Sequence, residues 1–486
     1  MGIVAKQSFI NLISTYLGFG IGALNVLFLY PQFLTVEYFG LVTFLLSAGN
    51  LFWPFLALGV HNTIIKFYTS FTSQQDTDKL LSFALLLPLA LGMVMAFLGL
   101  IFFDSLLIYF EGENDLVQPY IWGIFAIALS TAYFEVFFAW AKVQYKSIFG
   151  TILRELFHRI AITLLLFCLY FECISVHLFI YLLIGVFVLR AVVMLGYALR
   201  LYTPRFSSQL PPKLKELLNY SLLIFIAGTV GVALYDLDKV MIEYFMPIEN
   251  VSIYGIAIYI ATVIAAPAKA MHQITNPITA KYLNFKETEL LKDLYIRSSN
   301  TLFVISGFVF VLIMTNVHQL YRIIPDPYRI GVSIVFLISL VKLSDNVLGN
   351  NNSIIFNSKY YKTVLFAGIV LVGVGFFLNV WLIPVYGIYG AAYATFISFC
   401  LYNVFKLIFV RITFGIHPFN YKSLYIFLVI TALSLSFYFW DFTTGYIVFN
   451  IFLKSIIISI LYLVISLKGQ LSEDLSDFYF KTFKKK

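Results

Sequence analysis

Long apolar segments recur along the whole chain, and they constrain its fold more than any other feature. A helix that crosses the hydrocarbon core of a bilayer needs about 20 predominantly apolar residues. Fourteen such segments are present, near residues 9–30, 39–60, 80–103, 118–141, 152–171, 177–199, 215–236, 251–272, 299–317, 330–348, 363–382, 388–410, 423–440 and 446–467. The first is too long for a signal-peptide core and lacks a small-residue cleavage site, so we interpret it as a retained membrane helix. The sequence therefore predicts an all-α integral membrane protein.

The composition fits a chain that is dissolved in lipid. Of the 486 residues, 61% are hydrophobic and 12% are charged, whereas a soluble domain carries about 25% charged residues. The three cysteines show neither metal-site nor disulfide spacing, and the sequence has no Walker-type phosphate loop. We expect no cofactor, no metal, no catalytic residue and no nucleic-acid partner, and no hydrolysis of ATP by this chain.

The positions of lysine and arginine predict the orientation of the helices. Cytoplasmic loops carry an excess of these residues. If the N-terminus is cytoplasmic, nearly all of the 32 lysine and arginine residues fall in inner loops and tails. The predicted outer loops then hold only Lys239, Arg322 and Arg329. We therefore expect both termini on the cytoplasmic side, which requires an even number of spans.

Two parts of the chain resemble each other in spacing. The stretch TVEYFG is followed by Pro54 and by KFY at Lys66–Tyr68, and VSIYG is followed by Pro267 and by AKY at Ala280–Tyr282. Six predicted helices separate the copies, so both have the same orientation. Coincidence between two apolar stretches is the alternative, because few residues are identical.

The repeat predicts two parallel six-helix lobes. We expect an N-terminal lobe at 1–205, a C-terminal lobe at 206–415, and two extra helices with a basic cytoplasmic tail at 416–486. Two parallel halves usually enclose a central cavity and expose it alternately to the two sides of the membrane. This organisation favours a transporter over an enzyme.

Two sequence stretches resemble a known family. One is YDLDKVMI at Tyr235–Ile242, followed by Tyr244–Met246 and a second tyrosine-containing helix. The other is LNVWLIP at Leu378–Pro384, followed by YGIYGAAYAT at Tyr386–Thr395. Both are similar to the oligosaccharide flippases of bacterial polysaccharide biosynthesis, which include O-antigen flippases, within the multidrug/oligosaccharidyl-lipid/polysaccharide exporter superfamily. Helix number and topology extend the resemblance over nearly the whole chain.

The resemblance implies a function. It implies that an oligosaccharide linked to undecaprenyl diphosphate is flipped from the cytoplasmic to the outer leaflet of the bacterial inner membrane, for surface polysaccharide biosynthesis. The two parallel halves predict transport by alternating access, and because no nucleotide-binding motif is present, an ion gradient or the membrane potential is the expected energy source. Besides the lipid-linked oligosaccharide and membrane lipids, the implied partners are a polysaccharide polymerase and chain-length machinery.

An anionic diphosphate needs cations along its path, because lysine and arginine neutralise phosphate and arginine can bind it bidentately. Candidates lie at the predicted inner ends of helices, in matched regions of the two lobes. They are His61, Lys66, Lys142, Arg154, His158, Lys269 and His272. The alternative for most of them is ordinary positive-inside anchoring. Glu155 and Arg159, spaced i and i+4, are expected to form a structural ion pair.

Glu135 is a lone carboxylate in an apolar segment and is our candidate ion-coupling residue. It shares one helix face with Ala139, Lys142 and Lys146. Charged groups within membrane spans are costly and often functional. The alternative is a carboxylate that pairs with a neighbouring helix for stability.

Asp236, Asp238 and Lys239 are candidates for an outer gate at the end of the seventh span. A purely structural ion pair is the alternative for these residues. Arg190 is expected to extend to the cytoplasmic interface, and lining of the cavity is the less favoured alternative.

Two further predictions concern charges in the later spans. Lys342 and Asp345 are expected to pair with each other, because they are spaced i and i+3. Lys454 is expected near lipid or in a groove that could hold a prenyl tail.

Two other functions remain open at this level. A multidrug exporter would share the fold, although cationic residues would repel organic cations. A membrane polysaccharide polymerase or glycosyltransferase is less favoured, because the predicted outer loops are short and the lobes are repeated.

Overall fold

The computed structural model describes residues 3–71, 73–110, 114–440, 442 and 446–476. Within these residues the chain is helical and contains no strand. All fourteen predicted spans coincide with helices, and thirteen helices are long and apolar enough to cross a membrane. The remaining span is continuous helix over 148–170, but its first turns carry Arg154, Glu155 and Arg159. Because of these three charges, this helix is less apolar than the other thirteen.

The chain divides into two compact units, Met1–Ser252 and Ile253–Lys486. The first ten helices are α1 (Ile3–Leu24), α2 (Tyr30–Phe33), α3 (Val36–Ala57), α4 (Val60–Phe67), α5 (Gln74–Ile101), α6 (Phe103–Tyr109), α7 (Ile121–Val143), α8 (Ile148–Ile152), α9 (His158–Tyr170) and α10 (Val176–Leu201). The next ten are α11 (Leu214–Phe245), α12 (Glu249–Thr262), α13 (Ala266–Asn284), α14 (Thr288–Ile323), α15 (Val332–Val347), α16 (Asn351–Phe356), α17 (Tyr361–Tyr386), α18 (Ile388–Phe414), α19 (Tyr421–Tyr438) and α20 (Ile447–Lys468). The predicted lobe boundaries at 205 and 415 and the cytoplasmic termini stay predictions, and the last ten residues of the tail lie outside the described part.

Helix α7 is the centre of the first unit. It packs against α3, α4, α5 and α10. Small residues such as Ala128 and Ala132 are fully buried, and they let the neighbouring helices approach closely. Phe134, Phe138 and Trp140 fill the remaining space. In lipid such contacts stabilise mainly by close packing, because there is no water to exclude.

The second predicted span is broken between α3 and α4. Leu58 and Gly59 both have positive φ, at 43° and 74°. A Cβ on Gly59 would lie 2.3 Å from the carbonyl oxygen of Ser221, so glycine is required there for space as well as for conformation. The Ser221 hydroxyl donates to the freed carbonyl of Leu58 at 2.6 Å. Helix α4 begins directly after the break, and His61 lies in the first turn of this helix.

Two π-helical turns widen the first and fifth spans, at Asn25–Leu29 and Leu153–Phe157. The side chain of Asn25 links the two spans, because its Nδ2 donates to the carbonyl of Arg159 and its Oδ1 accepts from Thr163. Such turns are often found at functional sites. The second π-turn contains Arg154 and Glu155.

Helix α14 is the centre of the second unit and packs against α13, α15, α19 and α20. Lys454 on α20 is fully buried, and its Nζ donates to the carbonyl oxygen of Thr315 at 2.6 Å. The prediction that Lys454 lies near lipid or in a groove is therefore wrong. The ammonium group is satisfied inside the helix bundle, so it has no reason to extend to the interface.

Candidate functional site

The first unit gathers charged side chains around Glu135 on α7. The Nη1 atom of Arg154 lies 3.7 Å from Glu135 Oε1, and its Nε lies 3.5 Å from Glu155 Oε1. Arg159 Nη1 lies 3.4 Å from Glu155 Oε2, which confirms the predicted pair. The long distances in these pairs leave the carboxylates loosely held and open to exchange with another anion.

Two further cations, Lys142 and Arg190, are electrostatic neighbours of Glu135. Neither has a carboxylate within 4 Å in the described part of the chain. Lys142 Nζ lies 3.9 Å from the ring centroid of Phe138. We call Glu135, Lys142, Arg154, Glu155, Arg159 and Arg190 the Glu135 cluster. Its four cations face two carboxylates, so the cluster carries an excess of positive charge.

Arg190 is the most unusual member of the cluster. It is 5% exposed, and its guanidinium lies between Phe134 and Phe187, 4.5 Å and 4.9 Å from their ring centroids. Its Nη2 donates to Thr131 at 3.4 Å, while its Nε has no hydrogen-bond partner among the described atoms. The expectation that Arg190 reaches the interface is wrong, because α10 packs this position against α7.

Two predicted histidines lie beside the cluster. His61 is an electrostatic neighbour of Glu135 and Lys142, and it lines a cavity of about 260 Å³ together with Trp53 and Asn62. His158 is an electrostatic neighbour of Arg190 and Arg159. The Nδ1 atoms of both histidines are buried without a hydrogen-bond partner in the described chain. Both rings therefore retain unused hydrogen-bonding capacity.

Lys66 lies further along α4 and contacts an aromatic surface. It is exposed, and its Nζ lies 3.9 Å from the ring centroid of Tyr220. The structure gives it this cation–π contact in place of a carboxylate partner.

The second unit contains a smaller charged group, which we call the Asp345 cluster: His272, Lys342, Asp345 and Lys406. Asp345 Oδ1 lies 2.8 Å from Lys406 Nζ. Lys342 and His272 are weaker electrostatic neighbours of the same carboxylate. The predicted interaction of Lys342 with Asp345 is therefore present as an electrostatic one, and α18 supplies Lys406 as an ion-pair partner that local spacing did not predict. Lys269 lies one turn before His272 and is exposed.

Three residues of similar type follow each other in the same order in each unit. Each unit has a histidine after a helix break, a carboxylate on a later helix, and a cation on a helix that packs against it. The members are His61, Glu135 and Arg190 in the first unit and His272, Asp345 and Lys406 in the second. A nearly constant offset along the sequence separates the matched residues. This recurrence supports the predicted repeat.

The predicted gate residues lie near the end of α11. Lys239 Nζ lies 2.6 Å from Asp236 Oδ1, and both side chains are mostly buried. Asp238 lies beside this pair in sequence. The ion pair is observed, and its role as a gate stays a prediction.

Sequence reasoning did not single out Lys406 or Glu243, and it treated Arg190 as a cavity-lining residue only in the less favoured alternative. Arg190 and Lys406 are charged residues inside predicted apolar segments, which is itself a signal of function, whereas Glu243 lies beyond the end of the seventh predicted span. Among the described residues, no group of three or more histidine, cysteine, aspartate or glutamate side chains is arranged to hold a metal. The Glu135 cluster is suited to binding an anion.

Comparison with known proteins bears on the fold. No family model matches the sequence, and no curated protein matches it. Among solved structures, the lipid II flippase MurJ in an inward closed conformation aligns with a TM-score of 0.72 and 14% identity, over 96% of this chain and 100% of that chain. An inward-facing multidrug resistance MATE family transporter of the MOP superfamily aligns with a TM-score of 0.59 and 13% identity, over 90% of this chain and 100% of that chain. The protein therefore has the multi-pass helical fold that these flippases and transporters share.

Proposed function

We propose that this protein is a flippase of the MOP superfamily that moves a lipid-linked oligosaccharide from the cytoplasmic to the outer leaflet. The substrate we propose is an oligosaccharide on undecaprenyl diphosphate, used for surface polysaccharide such as O-antigen. The observation that carries the proposal is the excess of positive charge in the Glu135 cluster. The likeness in fold to a lipid II flippase supports it.

The physical problem for such a protein is the head group. Moving one charged group to the centre of a bilayer costs about 2.5–3.5 kcal/mol on insertion scales and more by other measures. A diphosphate with a polar glycan cannot cross unaided. A cationic site in the protein replaces the water that the phosphates lose.

The cluster offers a route for this exchange. Arg154 is 40% exposed at its side chain, so it is the member that an incoming phosphate can reach first. Among the described residues, Lys142 and the more deeply buried Arg190 have no carboxylate within 4 Å that a phosphate would first have to displace. Since Arg154 and Glu135 are 3.7 Å apart, a diphosphate can displace this carboxylate and make shorter, bidentate hydrogen bonds.

The other predicted residues have supporting roles in this proposal. We assign His61, His158, Lys66, Lys269 and His272 to the path of the anionic head group. Asp236, Asp238 and Lys239 are assigned to an outer gate. We assign Glu135 to ion coupling, because release of its cations to phosphate changes its charge environment.

The setting of the protein follows from the same proposal. It acts by alternating access in the bacterial cytoplasmic membrane with both termini inside, and an ion gradient drives it. A polysaccharide polymerase and chain-length machinery are the proposed partners that use its product.

A multidrug exporter is the second candidate, because a MATE transporter shares the fold. The Glu135 cluster disfavours it, because excess positive charge repels organic cations. A polymerase is less favoured, since the solved structures that this fold resembles are flippases and transporters.

The proposal is tested with purified full-length protein in liposomes. The probe is undecaprenyl diphosphate that carries a fluorescent sugar, and a membrane-impermeant quencher reports the leaflet. With the wild type, we expect the fluorescent sugar to lose its protection from the quencher rapidly, and with Arg190→Gln slowly. Lys79→Gln should behave like the wild type, because its ion pair lies outside the cluster. Equal rates with empty liposomes, or efflux of organic cations in place of flipping, would overturn the proposal.

A further inference from the structure

A buried carboxyl group lies in the first unit, away from the Glu135 cluster. Glu243 on α11 is 1% exposed. It lines a cavity of about 300 Å³ whose other lining residues come from α3, α5, α6, α7 and α11. These residues are aromatic or aliphatic, apart from one glycine, and Glu243 is the ionisable group among them. The carboxyl therefore faces an apolar space.

One asparagine holds this carboxyl in place. Asn114 Nδ2 donates to Glu243 Oε1 at 3.1 Å and to the carbonyl oxygen of Glu243 at 2.7 Å. Asn114 Oδ1 accepts from the backbone N–H of Ile248 at 3.0 Å. A single side chain thus links the loop before α7 to the end of α11. The second carboxyl oxygen, Oε2, is buried and has no hydrogen-bond partner in the described chain.

No counter-charge reaches this carboxyl among the described residues. The Glu243 side chain is buried and accepts a hydrogen bond from Asn114, and no charged group contributes an electrostatic interaction with it. The nearest cation along its own helix, Lys239, is paired with Asp236. The described titratable groups on the other elements packed around the cavity are Glu37, Tyr38, Asp76, Asp78, Lys79, Asp104, Asp115, Tyr120, Tyr133, Glu135 and Lys142, and those on α11 itself are Lys215, Glu216, Tyr220, Tyr235, Asp236, Asp238, Lys239 and Tyr244. An ionised carboxylate there would be buried and uncompensated, which is far less favourable than the neutral acid.

We propose that Glu243 is a proton-binding site that couples transport to a proton gradient, as a second site in addition to the coupling role assigned to Glu135. The carboxylic acid is the stable form while the cavity is dry and Asn114 is in place. Opening of the cavity to water stabilises the carboxylate and releases the proton, and closing reverses this step. The coupling part rests on the proposed transport function, whereas the protonation state does not.

A proton fits this site better than a metal ion. Hard cations need several oxygen ligands, and among the described residues the site offers one oxygen without a hydrogen-bond partner, Glu243 Oε2. The amide oxygen of Asn114 is already used by Ile248, and its N–H groups face the carboxyl. The remaining lining is hydrocarbon and aromatic.

The protonation state can be tested on the wild-type protein, without a variant. A hydrophobic carbodiimide adds to a protonated carboxyl in an apolar site and leaves a stable N-acylurea, which mass spectrometry locates in the chain. We expect labelling of Glu243 at neutral pH that falls as the pH rises, with little labelling of Glu135, which is paired with Arg154. Absence of label on Glu243 over the whole pH range would overturn the proposal.

The coupling is tested with Glu243→Gln, which keeps the shape and the neutral charge. In liposomes that contain the labelled undecaprenyl diphosphate, we expect wild-type flipping to rise several-fold with an imposed proton gradient. Glu243→Gln should keep the rate seen without a gradient and lose this rise, and Glu243→Asp should restore part of it. The proposed coupling would be overturned if a proton gradient still raised the flipping rate of Glu243→Gln, or if the wild-type rate responded to a sodium gradient alone. Flipping that fails in every variant and in the wild type would instead overturn the proposed function, while the carbodiimide result would stand.

Discussion

The Glu135 and Asp345 clusters both place carboxylates beside buried cations but differ in how the charges are balanced. In the second unit, Lys406 is 1% exposed and lies 2.8 Å from Asp345, so its charge is satisfied within the protein. In the first unit, Arg190 is equally deep and has no carboxylate within 4 Å among the described residues. A paired buried charge holds helices together, whereas an unpaired one needs a ligand. In the proposed function, this difference supports a structural role for the Asp345–Lys406 pair and a binding role for the Glu135 cluster.

The strongest test of this comparison is the pair of variants Arg190→Gln and Lys406→Met. Breaking a buried ion pair by removing one partner costs about 3–5 kcal/mol, and the 39% exposure of the Asp345 side chain places this pair at or below the lower end of that range. Lys406→Met should therefore lower the thermal stability and the membrane abundance of the protein. Arg190→Gln should leave both unchanged or raise them, since it removes an unpaired buried charge. Both are measured by thermal unfolding in detergent and by blotting of membranes.

The double variant Lys406→Met, Asp345→Asn sharpens the first test. It removes both charges of the pair, so no uncompensated carboxylate remains, and most of the lost stability should return. If the double variant is as unstable as Lys406→Met alone, the Asp345 pair is not the source of the stability. The same thermal unfolding experiment decides this.

Arg190→Gln should have the next largest effect, on transport and not on stability. A hydrogen bond to a charged group contributes about 1.5–3 kcal/mol, so flipping should fall by roughly one to two orders of magnitude. Arg190→Lys keeps the charge without the bidentate geometry, so its flipping rate should lie between those of the wild type and Arg190→Gln. Equal flipping by all three proteins would remove Arg190 from the binding site.

Glu135→Gln should have a smaller effect of the opposite sign on anion binding. The carboxylate competes with phosphate for Arg154, so its neutralisation should tighten the binding of undecaprenyl diphosphate by about fivefold to tenfold, which corresponds to about 1–1.4 kcal/mol. The concentration dependence of thermal stabilisation by this lipid measures the change. Weaker binding in Glu135→Gln would indicate that the carboxylate organises the site instead of competing with the ligand.

Lys66→Gln should have the smallest effect. Its ammonium group is exposed over Tyr220, and exposed cation–π contacts contribute about 0.5–1 kcal/mol. We expect flipping within about twofold to fivefold of the wild type. A loss as large as that of Arg190→Gln would show that the binding site extends to α4, beyond the Glu135 cluster.

The sequence predicted the helices well, because length and apolar composition decide where a chain can cross lipid. It also located Glu135, Lys142 and Arg154 as candidates, since charges in apolar segments stand out. It failed where the answer depended on which helices pack together. Local spacing indicated Lys342 as a partner of Asp345, but it gave no sign of Lys406, whose Nζ lies 2.8 Å from the Asp345 carboxylate.

The burial of Arg190 could not be predicted for the same reason. A long side chain near a helix end ordinarily extends to the interface, and only the packing of α10 against α7 shows that it does not. The π-turn at Leu153–Phe157 is another feature without a sequence signature, and it contains Arg154 and Glu155. The Asn114–Glu243 contact joins residues that are far apart in sequence, so no local sequence pattern predicts it.

The central claim is that the first unit's unpaired cations carry a lipid-linked oligosaccharide across the membrane. The most direct measurement uses host cells that lack this gene and carry either the wild type, Arg190→Gln or Lys79→Gln. Polyprenyl-linked glycans are extracted and identified by mass spectrometry, and a membrane-impermeant reagent reports their leaflet. The account predicts complete units trapped on the cytoplasmic face in cells with Arg190→Gln or without the gene, and normal export with the other two. Complete units that reach the outer face without the protein, or an unchanged lipid pool, would contradict it.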